Sequence, residues 1–145
     1  MSIPLPGTYR LRSVKFPNQL FDLSGGGINP GTPVVGYANN SGSQNMLWTM
    51  QVVDASNKIV RLINVASGTF AQGAGSQAGA GMVGNPAGSA ALFKVVPRNN
   101  LGEYVFQTTD GQLACSLANA NNFTQVTLQK VDANDSSQGW IFCPV

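Results

Sequence analysis

Three large aromatic residues divide the chain into nearly equal parts. Trp48, Phe93 and Trp140 are separated by 45 and 47 positions, and each lies in a similar setting, namely SQNMLWTM, SAALFKVV and SSQGWIFC. Self-similarity at a period of about 40 to 50 residues indicates repeated supersecondary units, each of which needs its neighbours to bury an apolar face. The spacing therefore predicts three copies of one unit in this chain of 145 residues.

Each copy divides into four short strands. β-branched and aromatic residues recur in short runs, and turn clusters such as SGGGINPG and NNSGS separate them. No window shows apolar residues at sustained helical spacing, so we predict an all-β chain of about twelve strands. The predicted strands are 9–14, 19–23, 33–37 and 47–53; 59–65, 69–72, 81–84 and 92–96; and 103–108, 112–117, 124–130 and 140–142.

Three four-stranded copies restrict the possible architectures. A propeller usually has four to eight blades, whereas three copies that close around a pseudo-threefold axis form a β-trefoil. We predict a single β-trefoil domain over residues 1–145, with repeats at roughly 6–54, 57–99 and 101–145. In such a fold Trp48, Phe93 and Trp140 would occupy equivalent core positions and bury their rings.

The composition excludes several classes of function. The chain has 10% charged residues, a net charge of +2 without a basic cluster, and no histidine. Phosphate neutralisation needs clustered basic residues, so nucleic acid is not expected as a partner. Without histidine the commonest general base and metal ligand are missing, and Glu103 is the only glutamate, so we expect neither an enzyme nor a metal or cofactor site.

Two further expectations concern the environment of the chain. Residues 1–7 carry neither the basic nor the apolar segment of a secretion signal, and no run of roughly 18 apolar residues occurs, so we expect a cytoplasmic protein without membrane insertion. Cys115 and Cys143 are too few for a disulfide framework or a zinc site. Two reduced thiols are the default, and a single bridge between them is the alternative.

The chain resembles the ricin B-type lectins across essentially its whole length. These β-trefoils carry an Asp after the second strand, an aromatic residue near the third, and Asn-Gln-x-Trp at the fourth. Gln138-Gly139-Trp140 keeps the Gln-x-Trp signature, and Asp22, Tyr37 and Asn45 match the sugar-binding positions in the first copy. A carboxylate, an amide and a ring suit neighbouring hydroxyls and the apolar face of a pyranose.

The resemblance implies one working sugar site in the first repeat. Asn39, Asn40 and the backbone around Gly25 could add polar contacts from the flanking loops. Met46 stands where the family has a glutamine that supports the aspartate, so the resemblance implies a less firmly held Asp22 and an altered affinity or sugar preference. In the second copy, Ala71 or Gln72 stands in place of the aspartate, a residue near Asn85 in place of the aromatic residue, and Ala90 in place of the asparagine. In the third copy these three places are held by Cys115, Gln129 and Ser137.

The three candidate residues also have structural interpretations. Asp22 could cap the turn at Ser24 through its own backbone, Tyr37 could be a strand residue that packs on a neighbour, and Asn45 could bond the loop that precedes it.

Three functions remain open on the sequence. The first is a non-catalytic lectin of the small mushroom type for mannose- or galactose-type glycans, which would bind glycoconjugates and could self-associate. The second is an accessory subunit without sugar binding, as in the lectin-like light subunit of mushroom tyrosinase, with a partner enzyme. The third is a cysteine-protease inhibitor of the fungal trefoil type, for which the loop 24–33 would serve as the wedge.

Overall fold

Over residues 3–145 the regular structure consists of thirteen β-strands and three single-turn 3₁₀ segments. A computed structural model describes residues 3–145. The 3₁₀ turns are Ser24–Gly26, Gln44–Met46 and Ser136–Gln138. The strands are β1 Gly7–Ser13, β2 Gln19–Leu23, β3 Thr32–Ala38, β4 Trp48–Asp54, β5 Ile59–Asn64, β6 Phe70–Gly73, β7 Met82–Asn85, β8 Phe93–Pro97, β9 Glu103–Thr108, β10 Leu113–Ser116, β11 Thr124–Gln125, β12 Thr127–Lys130 and β13 Trp140–Pro144.

Six of the strands close into a barrel. β1 pairs with β4 and β13, β4 with β5, β5 with β8, β8 with β9, and β9 with β13, all antiparallel. Six of the remaining seven strands form three hairpins, β2–β3, β6–β7 and β10–β12, one from each repeat, and the seventh, β11, precedes β12. β3 pairs with β7 and with β11, so the hairpins also contact one another. This is the β-trefoil that the threefold period predicts.

The aromatic residues that define the period lie in the core. Trp48 and Trp140 are completely buried and Phe93 is almost so, and all three belong to one hydrophobic cluster. The Trp48 indole donates a hydrogen bond to the carbonyl of Phe21 at 2.8 Å, and the Trp140 indole donates to that of Cys115 at 3.1 Å. The predicted core role of the three rings is confirmed, and the two indole bonds are related by the threefold symmetry.

Phe21 fills the centre of this cluster. Its ring meets Trp48 and Trp140 edge-on, each at a centroid distance of 5.2 Å. The equivalent positions in the other repeats carry the small residues Ala71 and Cys115, which are also buried in the cluster. One large ring from the first repeat therefore occupies space that three smaller residues would otherwise have to share.

The predicted strand set is confirmed, with one strand divided. The predicted strand 124–130 is β11 and β12, which are interrupted at Val126. The Val126 amide donates to the Val34 carbonyl, and the Val126 carbonyl accepts from the Met82 amide. This residue of the third repeat is therefore hydrogen-bonded to both the first and the second repeat. Over residues 3–145 no helix is long and apolar enough to cross a membrane.

Candidate functional site

Strand register identifies the equivalent positions of the three repeats. Asp22 lies opposite Val35 in the first hairpin, Gln72 opposite Val83 in the second, and Ser116 opposite Thr127 in the third. By the same register, the equivalent residues on the second strand of each hairpin are Tyr37, Asn85 and Gln129. A third equivalent set, three residues before each core aromatic, consists of Asn45, Ala90 and Ser137.

The prediction that Cys115 takes the place of the aspartate is therefore wrong by one residue. Cys115 corresponds to Phe21, because both carbonyls accept the indole bond and both side chains face the core. Of the two options offered for the second repeat, the register selects Gln72 and not Ala71.

Asp22 has a carboxylate without a hydrogen-bond donor from the protein. The residue is only 5% exposed, yet no residue in the range 3–145 donates a hydrogen bond to its carboxylate. Burial raises the pKa of Asp22 to about 6, because desolvation penalises the charged form. The 3₁₀ turn Ser24–Gly26 has Leu23 at its N-cap and no side-chain cap, so the turn-capping interpretation of Asp22 does not apply.

The other five acidic residues all accept hydrogen bonds. Asp110, for example, accepts from the Thr108 hydroxyl at 2.7 Å and from the Gln112 amide at 3.0 Å, and the first of these lowers its pKa most. Similar bonds reach the remaining carboxylates, Asp54, Glu103, Asp132 and Asp135. Within residues 3–145 Asp22 is thus the one acidic residue that accepts no hydrogen bond from the protein. A carboxylate that lines a pocket in this state is a candidate binding group.

Asn45 is held beside Asp22 by its backbone. Its amide donates to the Ser43 hydroxyl, which caps the 3₁₀ turn Gln44–Met46, and its carbonyl accepts from the Asn64 side chain at 2.8 Å. The Asn45 side-chain amide makes no hydrogen bond to residues 3–145, so the predicted bond to the preceding loop is made by the backbone instead. Its oxygen lies where a Cβ on Gly26 would be.

We predict that Gly26→Ala destabilises the protein more than Gly31→Ala does. Both glycines have positive φ, +63° for Gly26 and +87° for Gly31. Alanine in this left-handed region lowers the free energy of unfolding by about 1–2 kcal/mol in both variants. The Gly26 variant must also displace the Asn45 side chain, whereas a Cβ on Gly31 meets nothing within 4 Å. Equilibrium denaturation of the two variants measures the difference, and equal losses of unfolding free energy would contradict this close packing.

Tyr37 packs against a residue that sequence reasoning missed. Its ring meets the ring of Phe123, from the third repeat, at a centroid distance of 5.0 Å and an angle of 66°. Phe123 is 64% exposed and has a φ of +69°, a left-handed conformation that costs a bulky residue about 1–2 kcal/mol. No local signal marks this residue, because its relation to Tyr37 depends on the pairing of β11 with β3.

Met46 makes a hydrogen-bond contact that is equivalent to one made by Gln138 in the third repeat. In the third repeat the Gln138 side chain accepts from the Asp132 amide at 3.1 Å and donates to the Lys130 carbonyl at 2.8 Å. In the first repeat the Met46 sulfur accepts from the Asn40 amide at 3.3 Å, which is the equivalent contact. Met46 thus fastens the loop after the third strand, and it supplies no hydrogen-bond donor to Asp22, so the expectation that Asp22 is less firmly held stays a prediction.

The predicted residues, apart from Asn39, come together around one pocket of about 260 Å³. Asn39 is exposed and does not line it, and the Asn40 side chain accepts a bond from the Gly42 amide at 3.3 Å. Ser43, Met46 and Phe123 are the lining residues that were not predicted as binding residues. The complete lining is Asp22, Gly25, Tyr37, Asn40, Ser43, Asn45, Met46 and Phe123.

The equivalent places in the other repeats differ in chemistry. Gln72 and Ala90 line a second pocket of about 450 Å³, in which the one carboxylate, Asp110, is already bonded to Thr108 and Gln112. In the third repeat the Ser116 and Ser137 hydroxyls bond each other at 3.0 Å. The pocket at the first repeat is thus the one lined by an unbonded carboxylate, an amide and two aromatic rings, of which Phe123 comes from the third repeat.

Other chemistry finds little support in the described part of the chain. No group of three or more acidic residues, cysteines or histidines within residues 3–145 could hold a metal ion. Both cysteines are free thiols, with Cys115 buried and Cys143 partly buried. Burial raises the pKa of the Cys115 thiol to about 12, so it behaves as an inert core residue.

Several solved structures are similar to this chain in fold. No protein-family model matches the chain. It is similar to the Rhizoctonia solani agglutinin, with a TM-score of 0.87 and 27% identity over 100% of this chain and 99% of that one. It is also similar to the Macrolepiota procera ricin B-like lectin, solved in complex with lactose (TM-score 0.81, 20% identity, 100% of both chains).

A third similar structure supports the symmetry. The designed threefold-symmetric protein ThreeFoil matches with a TM-score of 0.83 and 19% identity, over 96% of this chain and 99% of that one. At this identity the likeness concerns the fold alone. The chain therefore has the fold of the ricin B-like lectins, as the sequence resemblance implied.

Proposed function

We propose that this protein is a non-catalytic carbohydrate-binding protein, a lectin with one sugar site in the first repeat. The observation that carries the proposal is Asp22, a residue only 5% exposed, which lines the pocket and whose carboxylate receives no hydrogen bond from residues 3–145. Burial of the residue desolvates this carboxylate, and a ligand with adjacent hydroxyls supplies hydrogen-bond donors to it.

The remaining pocket residues suit a pyranose. The Asn45 amide both donates and accepts, so it can bond a further ring hydroxyl. Tyr37 offers an aromatic surface to the C–H face of the sugar. A pocket of about 260 Å³ is smaller than the roughly 300–1,000 Å³ of sites for drug-sized ligands, so it suits a single sugar ring.

The similar structures support this choice. One is named an agglutinin and another is a ricin B-like lectin that was solved with lactose. Mannose- and galactose-type glycans are the expected ligands. A site this shallow typically binds in the mM to μM range, so glycoconjugates that present several copies would be the effective partners.

A glycan array tests the proposal directly. Wild-type protein should bind a defined set of mannose- or galactose-type glycans, and Asp22→Ala should lose that binding. Gln72→Ala is the matched control, because Gln72 holds the equivalent position in the second repeat and should leave binding unchanged. If the wild type binds no glycan, the proposal fails; inhibition of papain-like proteases or co-purification with an enzyme would then favour the other two functions.

We also predict that glycan affinity falls with acid. The charged carboxylate is the form that accepts two hydroxyl bonds, and the pKa of Asp22 is raised to about 6. Affinity should therefore be full above pH 7 and decrease as the pH falls through 6, to about one tenth at pH 5. Isothermal titration between pH 5 and 8 measures this. An affinity that stays constant down to pH 5 would mean that the site carboxylate has an ordinary pKa.

A further inference from the structure

We propose that Phe123 forms a second sugar subsite, on which the residue linked to the bound sugar packs. This inference rests on the proposed function, and it extends the site from the first repeat to the third. It assigns to the protein a preference for disaccharides and longer glycans over their terminal monosaccharides.

The position of Phe123 supports a ligand contact. Its ring borders the pocket that contains Asp22, and 64% of the residue is exposed. Its contact with Tyr37 is edge-on, with 66° between the planes, so the two rings are not stacked face to face. The pocket accommodates one sugar ring, whereas an aromatic surface at its rim can contact the next sugar of a chain.

The segment that carries Phe123 is fastened to the first repeat. The Phe123 amide donates to the Gly36 carbonyl at 2.9 Å, and Thr124 and Gln125 pair with Gly36 and Val35 of β3. The neighbouring Asn122 side chain accepts from the Ala38 amide at 2.9 Å and from the Gln19 side chain at 3.1 Å. The ring is therefore held at a defined place relative to Tyr37, as a binding surface requires.

The residue type is unexpected for this backbone. A φ of +69° favours glycine or asparagine, and two asparagines, Asn121 and Asn122, directly precede it. Phe123 instead places a large ring, 64% exposed, in this left-handed conformation. Non-glycine residues held in this region concentrate at functional sites, where the surrounding structure maintains the strain.

Titration calorimetry can separate the two subsites. The probes are the disaccharide that the wild type binds best on the array and the methyl glycoside of its terminal sugar. We expect Phe123→Ala to weaken disaccharide binding about five- to tenfold and monosaccharide binding less than about twofold. Phe123→Trp should keep the disaccharide affinity within about threefold. Leu101→Ala, at a fully exposed residue outside the pocket, should change neither.

A further variant distinguishes lost sugar contact from a loss of folding stability. Phe123→Gly suits the left-handed backbone, so it should fold and melt no lower than the wild type while it loses the same disaccharide affinity. Equal weakening of both probes would overturn the subsite, since the ring would then belong to the terminal-sugar site. Unchanged disaccharide binding in Phe123→Ala and Phe123→Gly would also overturn it, with the Asp22-dependent lectin function left intact. A wild type that binds no glycan would overturn both.

Discussion

The Asp22→Asn variant should lose glycan binding and gain stability at the same time. The amide keeps the shape of the carboxylate but offers one acceptor oxygen and carries no charge, so the two hydroxyl bonds cannot both form. Bonds to charged groups contribute about 1.5–3 kcal/mol, so affinity should fall by roughly ten- to a hundredfold. For a weak sugar site this is loss of detectable binding.

The stability gain follows from the raised pKa of Asp22. Because the folded pKa, about 6, lies above the ordinary value of 3.8, the folded state binds the proton more tightly than the unfolded state. Ionisation therefore costs stability as the pH rises from about 4 to 6, and the full cost applies at pH 7. Partial contact with water at the pocket mouth reduces this cost, so we expect Asn to stabilise by about 1–3 kcal/mol at pH 7.

Denaturant unfolding at pH 7 and pH 4 measures this effect. Asp22→Asn should be more stable than the wild type at pH 7, and the difference should disappear near pH 4, where Asp22 is protonated. Asp110→Asn is the control with the opposite sign, since the Asp110 carboxylate accepts bonds from Thr108 and Gln112 and its pKa is lowered. Asp22→Asn proteins that are less stable than the wild type at pH 7 would show that the carboxylate has a structural role.

The Phe21→Ala variant should cause the largest loss of stability. Phe21 is completely buried and its ring contacts both Trp48 and Trp140. Removal of a buried phenylalanine ring typically costs about 3–5 kcal/mol, through lost burial and the cavity that remains. The total stability of a domain is about 5–15 kcal/mol, so the melting temperature should fall by roughly 10–20 °C.

Two further variants test the threefold geometry of this core. Phe70→Ala, at a partly exposed ring on a neighbouring hairpin, should cost clearly less than Phe21→Ala. The double variant Phe21→Ala with Ala71→Phe should recover part of the loss, because position 71 faces the same centre from the second repeat. A double variant that is less stable than Phe21→Ala alone would mean that the three positions do not share one space.

Much of the architecture could be predicted from local patterns. The period of Trp48, Phe93 and Trp140 implies three units, and the alternating strand and turn composition implies β-structure in each. These signals are reliable because hydrophobic burial acts on every copy in the same way. The resemblance likewise located Asp22, Tyr37 and Asn45, which the structure brings to one pocket.

Other features depend on contacts between distant parts of the chain. Phe123 reaches Tyr37 because β11 pairs with β3, and Phe21 fills the centre because Ala71 and Cys115 leave room for it. The contact of Met46 with the loop after the third strand is also of this kind. Its partner, the Asn40 amide, became evident through the equivalent Gln138 bond in the third repeat.

The sequence by itself thus determined the repeat, the strand content and the residues with sugar-binding chemistry in the first copy. Tertiary structure decided which of these residues face one pocket, which carboxylate lacks a donor, and which ring from the third repeat joins the lining of that pocket. The physical reason is that strand patterns arise from neighbours along the chain, whereas desolvation and shape arise from residues that only the closed sheet brings together.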